Sequence, residues 1–151
     1  MIASYHACCF VFVACLVSGL PASLVARNQP PTVETQNGTL LGFYSSSYNQ
    51  DFFLNVPYAA PPIGNLRFQS PAPLSEKYEN RDASYYGPAC FGYNNMAAIS
   101  QVYTNYSEDC LTLNIVRPSG QDGLSVMVWI HGGGFQFGSG IDTRWEATFT
   151  V

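Results

Sequence analysis

Apolar runs and polar turn residues divide most of the chain into short extended segments. The stretch TVETQNGTLLGFYSS, residues 32–46, predicts two strands joined at Asn37-Gly38, a dipeptide typical of type I′ hairpin turns. The next stretch, DFFLNVPYAAPPIGN, predicts a third strand that ends in a proline-rich turn. Together these segments predict a small β-meander.

The second half of the chain alternates between irregular and strongly apolar segments. Residues 64–107 show no sustained period, so we expect a long surface excursion there. The segment CLTLNIVRP predicts a strand closed by Pro118, and LSVMVWI, residues 124–130, predicts another. Because residues 126–130 are apolar without alternation, both faces of that strand should be buried. A central strand covered on both faces predicts an α/β fold class.

The first 26 residues differ from the rest. ACCFVFVACLVSGL is an apolar run shorter than the ~20 residues that span a membrane, and small residues follow it. We predict a signal peptide over residues 1–26, cleaved after Ala22 or Ala26, and a secreted mature chain without a transmembrane span. The segment before the run carries no Lys or Arg, and an uncleaved signal anchor is the alternative.

Removal of this segment leaves two cysteines, Cys90 and Cys110. In an exported chain they most simply form a disulfide with each other. Two sequons agree with secretion, and we predict N-glycosylation at Asn37 and Asn105.

Composition excludes several kinds of partner. The 151 residues suit one domain, and a net charge of −4 without any basic run argues against nucleic acid. The mature chain has no histidine pair or cysteine cluster that would hold a metal, so we expect no metal site.

The glycines that follow the last predicted strand suggest an anion or oxyanion site, because glycine lets backbone N–H groups approach a ligand closely. A phosphate loop needs a following Lys, and none occurs after Lys77. A dinucleotide fingerprint fails because Phe137 stands where the third glycine belongs. The segment from His131 to Phe135, HGGGF, matches an HGGG oxyanion loop. A glycine turn that only reverses the chain is the alternative.

Three segments carry a resemblance to a known family: NVPYAAPPIGNLRF, EDCLTLNIVRP and VMVWIHGGGF. In this order they resemble the type-B carboxylesterase/lipase family, over about residues 32–140. The resemblance implies an α/β-hydrolase fold, of which this chain would hold the β-meander and the first central-sheet strands. It also implies cleavage of carboxylic esters by a Ser-His-Glu/Asp triad.

The resemblance assigns roles to the glycine loop. Gly133 and Gly134 would be oxyanion-hole backbone donors. Gly132 would let the turn form and Phe135 would line the pocket wall, so that both contribute to substrate binding. His131 precedes these glycines and would support the loop rather than act as the base.

Four further residues match structural features of the family. Cys90 and Cys110 match its N-terminal disulfide. Arg67 and Glu108 match an ion pair that ties the LRF turn to the EDCL segment, and we expect this pair to be architectural.

The catalytic triad itself has no match in the 151 residues. The G-x-S-x-G elbow is absent, since Ser139 comes closest but Phe137 replaces the first glycine. We expect nucleophile, acid and base to lie beyond this segment, which would make residues 27–151 an incomplete N-terminal portion, inactive alone, of a hydrolase acting on a small-molecule ester or lipid. Two alternatives remain open: a non-catalytic relative used for adhesion or binding, and an inactive truncated product.

Overall fold

The computed structural model describes residues 29–93 and 105–141, and the predicted signal peptide lies outside these ranges. The described residues form eight β-strands, one 3-10 turn at Gly64–Leu66 and no α-helix. The strands are β1 (Thr32–Thr35), β2 (Gly38–Leu41), β3 (Phe43–Ser45), β4 (Gln50–Pro57), β5 (Asn80–Asp82), β6 (Ala89–Cys90), β7 (Tyr106–Ser107) and β8 (Thr112–Pro118).

The first predicted hairpin forms, with its turn one residue earlier than expected. Thr35 pairs with Gly38, so the turn residues are Gln36 and Asn37. A type I′ turn at Asn37-Gly38 would need positive φ at both residues, but only Gly38 has it, with φ 137°. The Thr35 hydroxyl donates to the Gly38 carbonyl at 2.7 Å, and this bond closes the turn instead.

The predicted strands do not form one meander. The hairpins β1–β2 and β3–β4 belong to different three-stranded sheets, ordered β1-β2-β5 and β3-β4-β8, while β6 and β7 form a separate parallel pair. Gly42 separates the two hairpins, and a Cβ there would lie 2.2 Å from the Phe52 carbonyl oxygen. The chain therefore crosses between the sheets at a point where only glycine fits.

The strand β4 is buried along most of its length and forms the centre of the second sheet. Phe52, Phe53 and Leu54 are each 3% exposed, and Phe52 stacks on Phe43 with ring centroids 4.6 Å apart. β4 is antiparallel to both neighbours, and a β-bulge interrupts its pairing with β8 after Phe53. This strand holds the described part of the molecule together.

The predicted surface excursion contributes to the core, contrary to expectation. β5 pairs in parallel with β2, and Ala83 after it packs with Leu40 and Phe53. The residues of β5 are all polar, so the sequence shows no alternation of apolar and polar residues that would predict a strand there. β5 ends in Asp82, where hydrogen bonds from the hydroxyl and the amide of Ser84 lower the pKa of the carboxyl group.

The predicted central strand over residues 124–130 is not formed in the described structure. These residues carry no strand pairing and are exposed; Val126, Val128 and Ile130 are 88%, 79% and 84% exposed. A strand exists only through hydrogen bonds to neighbouring strands, and no described strand pairs with this segment. Residues 126–130 are apolar as the prediction requires, but the described residues do not bury them.

Candidate active site

The glycine loop, which we define as residues 131–140, makes a tight turn through left-handed backbone. Gly133, Gly134 and Phe135 have φ of 134°, 60° and 59° in succession. The N–H groups of Gln136 and Phe137 donate back to the Gly133 carbonyl at 3.0 and 3.3 Å. The turn thus folds on itself, in a conformation that glycine adopts readily and phenylalanine rarely does.

The glycines of the loop are needed for different reasons. A Cβ at Gly133 would lie 1.9 Å from the Phe137 carbonyl oxygen, whereas one at Gly134 would meet nothing within 4 Å. Gly132 has neither a positive φ nor a close neighbour. In the described structure, Gly133 and Gly134 rather than Gly132 have the positive φ values of the turn.

The amides of Gly133 and Gly134 make no hydrogen bond to any residue in ranges 29–93 and 105–141. Gly134 is exposed and Gly133 is half-buried, and the side chain of Phe135 beside them is fully exposed. Among the described residues, two neighbouring N–H donors thus have no partner, and they lie beside an exposed aromatic ring.

His131 lies against the loop it precedes. Its Nδ1 is 2.9 Å from the Gly132 carbonyl oxygen, and a Cβ at Gly138 would lie 2.6 Å from the same nitrogen. Gly138 itself has φ 103°. The imidazole packs between the two ends of the turn, which fits a supporting role rather than that of a base.

The disulfide holds a segment that contacts the glycine loop. Cys90 and Cys110 are bonded, and Phe91 after Cys90 stacks on Tyr106 with centroids 6.0 Å apart. The N–H of Tyr93 donates to the Gln136 carbonyl at 2.7 Å. This contact was not predicted from the sequence. The one signal there is Gly92, since a glycine before Tyr93 permits a close approach of the backbone.

Arg67 and Glu108, matched above to an ion pair, lie together in the structure. Arg67 Nη2 is 2.7 Å from Glu108 Oε1, and the side chains are 50% and 42% exposed. The Arg67 guanidinium also lies over the Phe68 ring, 5.3 Å from its centroid. The pair joins the turn after β4 to the segment before β8 at the surface, where such pairs contribute little energy.

Asn114 is a further residue of the site that was not predicted. It lies in β8, and its Nδ2 donates to the Gly140 carbonyl at 3.0 Å, at the end of the glycine loop. The only signal in the sequence is an amide side chain within an otherwise apolar run, LNIV, after a threonine.

Other kinds of site were not found in the described part of the chain. No group of three or more His, Cys, Asp or Glu residues there has the arrangement of a metal site. No helix in these ranges has the length and apolar character to cross a membrane. Ser139, the serine whose surroundings come closest to a G-x-S-x-G elbow, is buried. Its hydroxyl accepts the Ile141 N–H at 3.4 Å.

Known proteins of similar sequence are lipases and carboxylesterases. Lipase 4 of Diutina rugosa is 38% identical over 143 residues, covering 82% of this chain and 25% of the lipase. Carboxylesterase 1E of Mus musculus is 41% identical over 127 residues, covering 74% of this chain and 23% of the mouse protein. The chain thus spans about a quarter of the length of these relatives.

A solved structure gives the same result. A thermophilic pNB esterase superposes with a TM-score of 0.71 at 35% identity, over 79% of this chain and 25% of that protein. This neighbour confirms the predicted fold class, the N-terminal part of an α/β-hydrolase. The family model for the carboxylesterase family matches residues 29–148. The chain belongs to the carboxylesterase family.

Proposed function

We propose that this chain supplies the oxyanion-binding part of a carboxylic ester hydrolase. The observation that carries the proposal is the pair of adjacent amides at Gly133 and Gly134. Both lack an acceptor among the described residues. Both also have a positive φ, which is not the backbone conformation of a paired strand. Membership of the carboxylesterase family supports the reaction type.

In the proposed reaction, a serine hydroxyl attacks the ester carbonyl carbon and gives its proton to a histidine. The carbonyl oxygen gains the electron pair and becomes an oxyanion, which accepts hydrogen bonds from the Gly133 and Gly134 amides. Collapse of this intermediate expels the alcohol, which takes the proton, and leaves an acyl-enzyme. Water then releases the acid by the same steps. The chemistry needs no metal or organic cofactor.

The remaining residues of the loop would shape the substrate site. Phe135 projects its ring into solvent beside the two amides, where it would line the wall against a small-molecule ester or lipid. Gly132, with open space at its α-carbon, would leave room for the acyl group. Serine, acid and histidine are proposed to come from outside residues 1–151, so that residues 27–151 form the N-terminal portion of the catalytic domain.

We also propose secretion through a cleaved signal peptide over residues 1–26. The Cys90–Cys110 disulfide supports this, because such bonds persist in oxidising compartments.

The proposed function is tested in a hybrid enzyme. In this hybrid, residues 29–148 of the chain replace the aligned quarter of the thermophilic pNB esterase, which supplies the rest of the catalytic domain. We expect the hybrid to unfold cooperatively and to hydrolyse p-nitrophenyl acetate with a burst of p-nitrophenol that reports the acyl-enzyme. The intact esterase is the positive control.

A cooperatively unfolding hybrid without turnover would contradict the proposal. It would favour a non-catalytic relative, in which the glycine loop serves only to reverse the chain.

A further inference from the structure

Asn114 connects the second sheet to the end of the glycine loop through both atoms of its amide. Its Oδ1 accepts the N–H of Asn55 at 3.1 Å, and its Nδ2 donates to the Gly140 carbonyl at 3.0 Å. A carboxamide offers an acceptor and a donor at a fixed separation. The side chain thus ties one backbone amide in β4 to one backbone carbonyl of the loop.

The β4 end of this connection is a firmly held β-bulge. Leu54 and Asn55 lie opposite the single residue Asn114, and Asn55 has φ 56°. Two further backbone groups of the bulge have partners outside the pairing of β4 with β8. The Leu54 N–H donates to the Ala83 carbonyl at 2.8 Å, and the Asn55 carbonyl accepts from Arg81 Nη2 at 3.3 Å.

The loop end of the connection lies downstream of the two oxyanion donors. Residues outside the glycine loop donate hydrogen bonds to two of its carbonyls. The Tyr93 N–H donates to Gln136, and the Asn114 side chain donates to Gly140. Between them, Gly138 packs so closely that a Cβ would lie 2.4 Å from the Gly132 carbonyl oxygen. Gly140 is thus two residues away from a glycine that closely approaches the start of the turn.

We propose that Asn114 is a positioning residue whose bond to Gly140 fixes the place of the Gly133 and Gly134 amides. The expected effect on kcat rests on the proposed function, whereas the expected effect on the position of the loop does not. Oxyanion donors act only when they are held at the reacting oxygen, and a misplacement of about 1 Å costs on the order of a hundredfold in rate. A polar residue in an apolar strand serves this purpose here.

The structural arm of the test separates the two hydrogen bonds of Asn114. Asn114→Asp keeps the acceptor for Asn55 but removes the donor to Gly140, whereas Asn114→Leu removes both. Asn65→Asp makes the same charge change at an exposed position of the 3-10 turn and is the matched control. Hydrogen exchange is measured at individual backbone amides in the full 151-residue chain and again in the hybrid.

We expect Asn114→Asp to speed exchange of the Gln136 and Phe137 amides by roughly tenfold or more and to leave Asn55 protected. Asn114→Leu should expose all three, and Asn65→Asp none. Below about pH 4 the introduced carboxyl group gains a proton and can again donate to Gly140, so its loop protection should return. Unchanged exchange at Gln136 and Phe137 in Asn114→Asp would overturn the proposal.

The kinetic arm uses the hybrid. We expect Asn114→Asp to lower kcat roughly tenfold to a hundredfold with KM within about twofold and an unchanged unfolding midpoint. An unchanged kcat beside a loosened loop would overturn the positioning role. A hybrid without turnover would instead contradict the proposed function, and the exchange arm would still decide whether Asn114 holds the loop.

Discussion

Three successive positive φ values, at Gly133, Gly134 and Phe135, distinguish the glycine loop at the scale of single residues. Left-handed backbone costs a non-glycine residue roughly 1–2 kcal/mol, so phenylalanine at position 135 is retained at a cost in stability. Its ring is fully exposed in the described structure and contributes no core packing that would offset this cost. The role proposed for Phe135, contact with the substrate, would account for both observations.

The first prediction compares two glycines that have similar φ values but lie at different places in the chain. Gly134 and Gly123 have φ of 60° and 68°, and a Cβ at either would meet nothing within 4 Å. Alanine should therefore strain both sites alike, by about 1 kcal/mol of unfolding free energy. In the hybrid, we expect Gly134→Ala to lower kcat/KM at least tenfold more than Gly123→Ala, because only the first places a methyl group beside the oxyanion.

Urea unfolding and p-nitrophenyl acetate hydrolysis measure the two effects separately. Equal losses of kcat/KM in the two variants would contradict the assignment of Gly134.

The two sequons differ in what their side chains already bind. Asn37 Nδ2 donates to the carbonyls of Leu74 and Glu76 at 3.2 and 2.7 Å, so a sugar on this nitrogen removes a hydrogen bond in use. Asn105 is exposed and its side chain has no partner among the described residues. These contacts favour Asn105 over Asn37 as the glycosylated residue.

We expect the chain expressed in a eukaryotic secretory host to carry its glycan at Asn105. Peptide mass spectrometry after enzymatic deglycosylation in ¹⁸O water reports occupancy at each asparagine. A glycan at Asn37 in the secreted protein would show that the two hydrogen bonds do not govern occupancy.

At the scale of elements, β4 and β8 organise the molecule through a polar pair as well as apolar packing. The Asp51 side chain in β4 is fully buried and lies 3.3 Å from Arg117 Nη2 in β8. The same guanidinium is 3.4 Å from Asp122, whose side chain is 95% exposed. One arginine therefore serves a buried and an exposed carboxylate, which allows the two environments to be compared directly.

We expect Arg117→Met to lower the free energy of unfolding by about 3 kcal/mol, because it leaves the buried Asp51 carboxylate without this cation. Asp122→Asn removes the exposed partner and should change stability by less than about 0.5 kcal/mol. Chemical unfolding of the hybrid measures both. Similar small effects from the two variants would show that water reaches Asp51.

The strands that were predictable from the sequence are those with a strong local pattern. The apolar run of β4 and the β-branched run of β8 both form within a few residues of their predicted limits. β5, with the sequence Asn80-Arg81-Asp82, carries no apolar alternation and is fixed by pairing with β2, a contact distant in sequence. Segment 124–130 shows the opposite case, since a strong pattern without a neighbouring strand makes no strand.

The candidate site divides in the same way. The glycine loop, the disulfide and the Arg67–Glu108 pair follow from short motifs. The contacts of Tyr93 and Asn114 with the glycine loop depend on how separate segments meet, and the sequence gives only weak local signals of them.

At the scale of the whole molecule, the described residues present the glycine loop beside a long apolar surface. Residues 124–130 lead into the loop and are exposed throughout, including Met127 at 64% and Trp129 at 49%. The relatives that match this chain are about four times as long as the matched part. In the hybrid, the added residues should cover this segment and bring a serine to the loop.

The most direct measurement is a crystal structure of the hybrid with a trifluoromethyl ketone, which forms a tetrahedral adduct on an active serine. We predict that the adduct oxygen lies about 2.7–3.1 Å from the backbone nitrogens of both Gly133 and Gly134. An adduct oxygen held by other donors, with these two amides turned away, would contradict the assignment of the glycine loop as the oxyanion site.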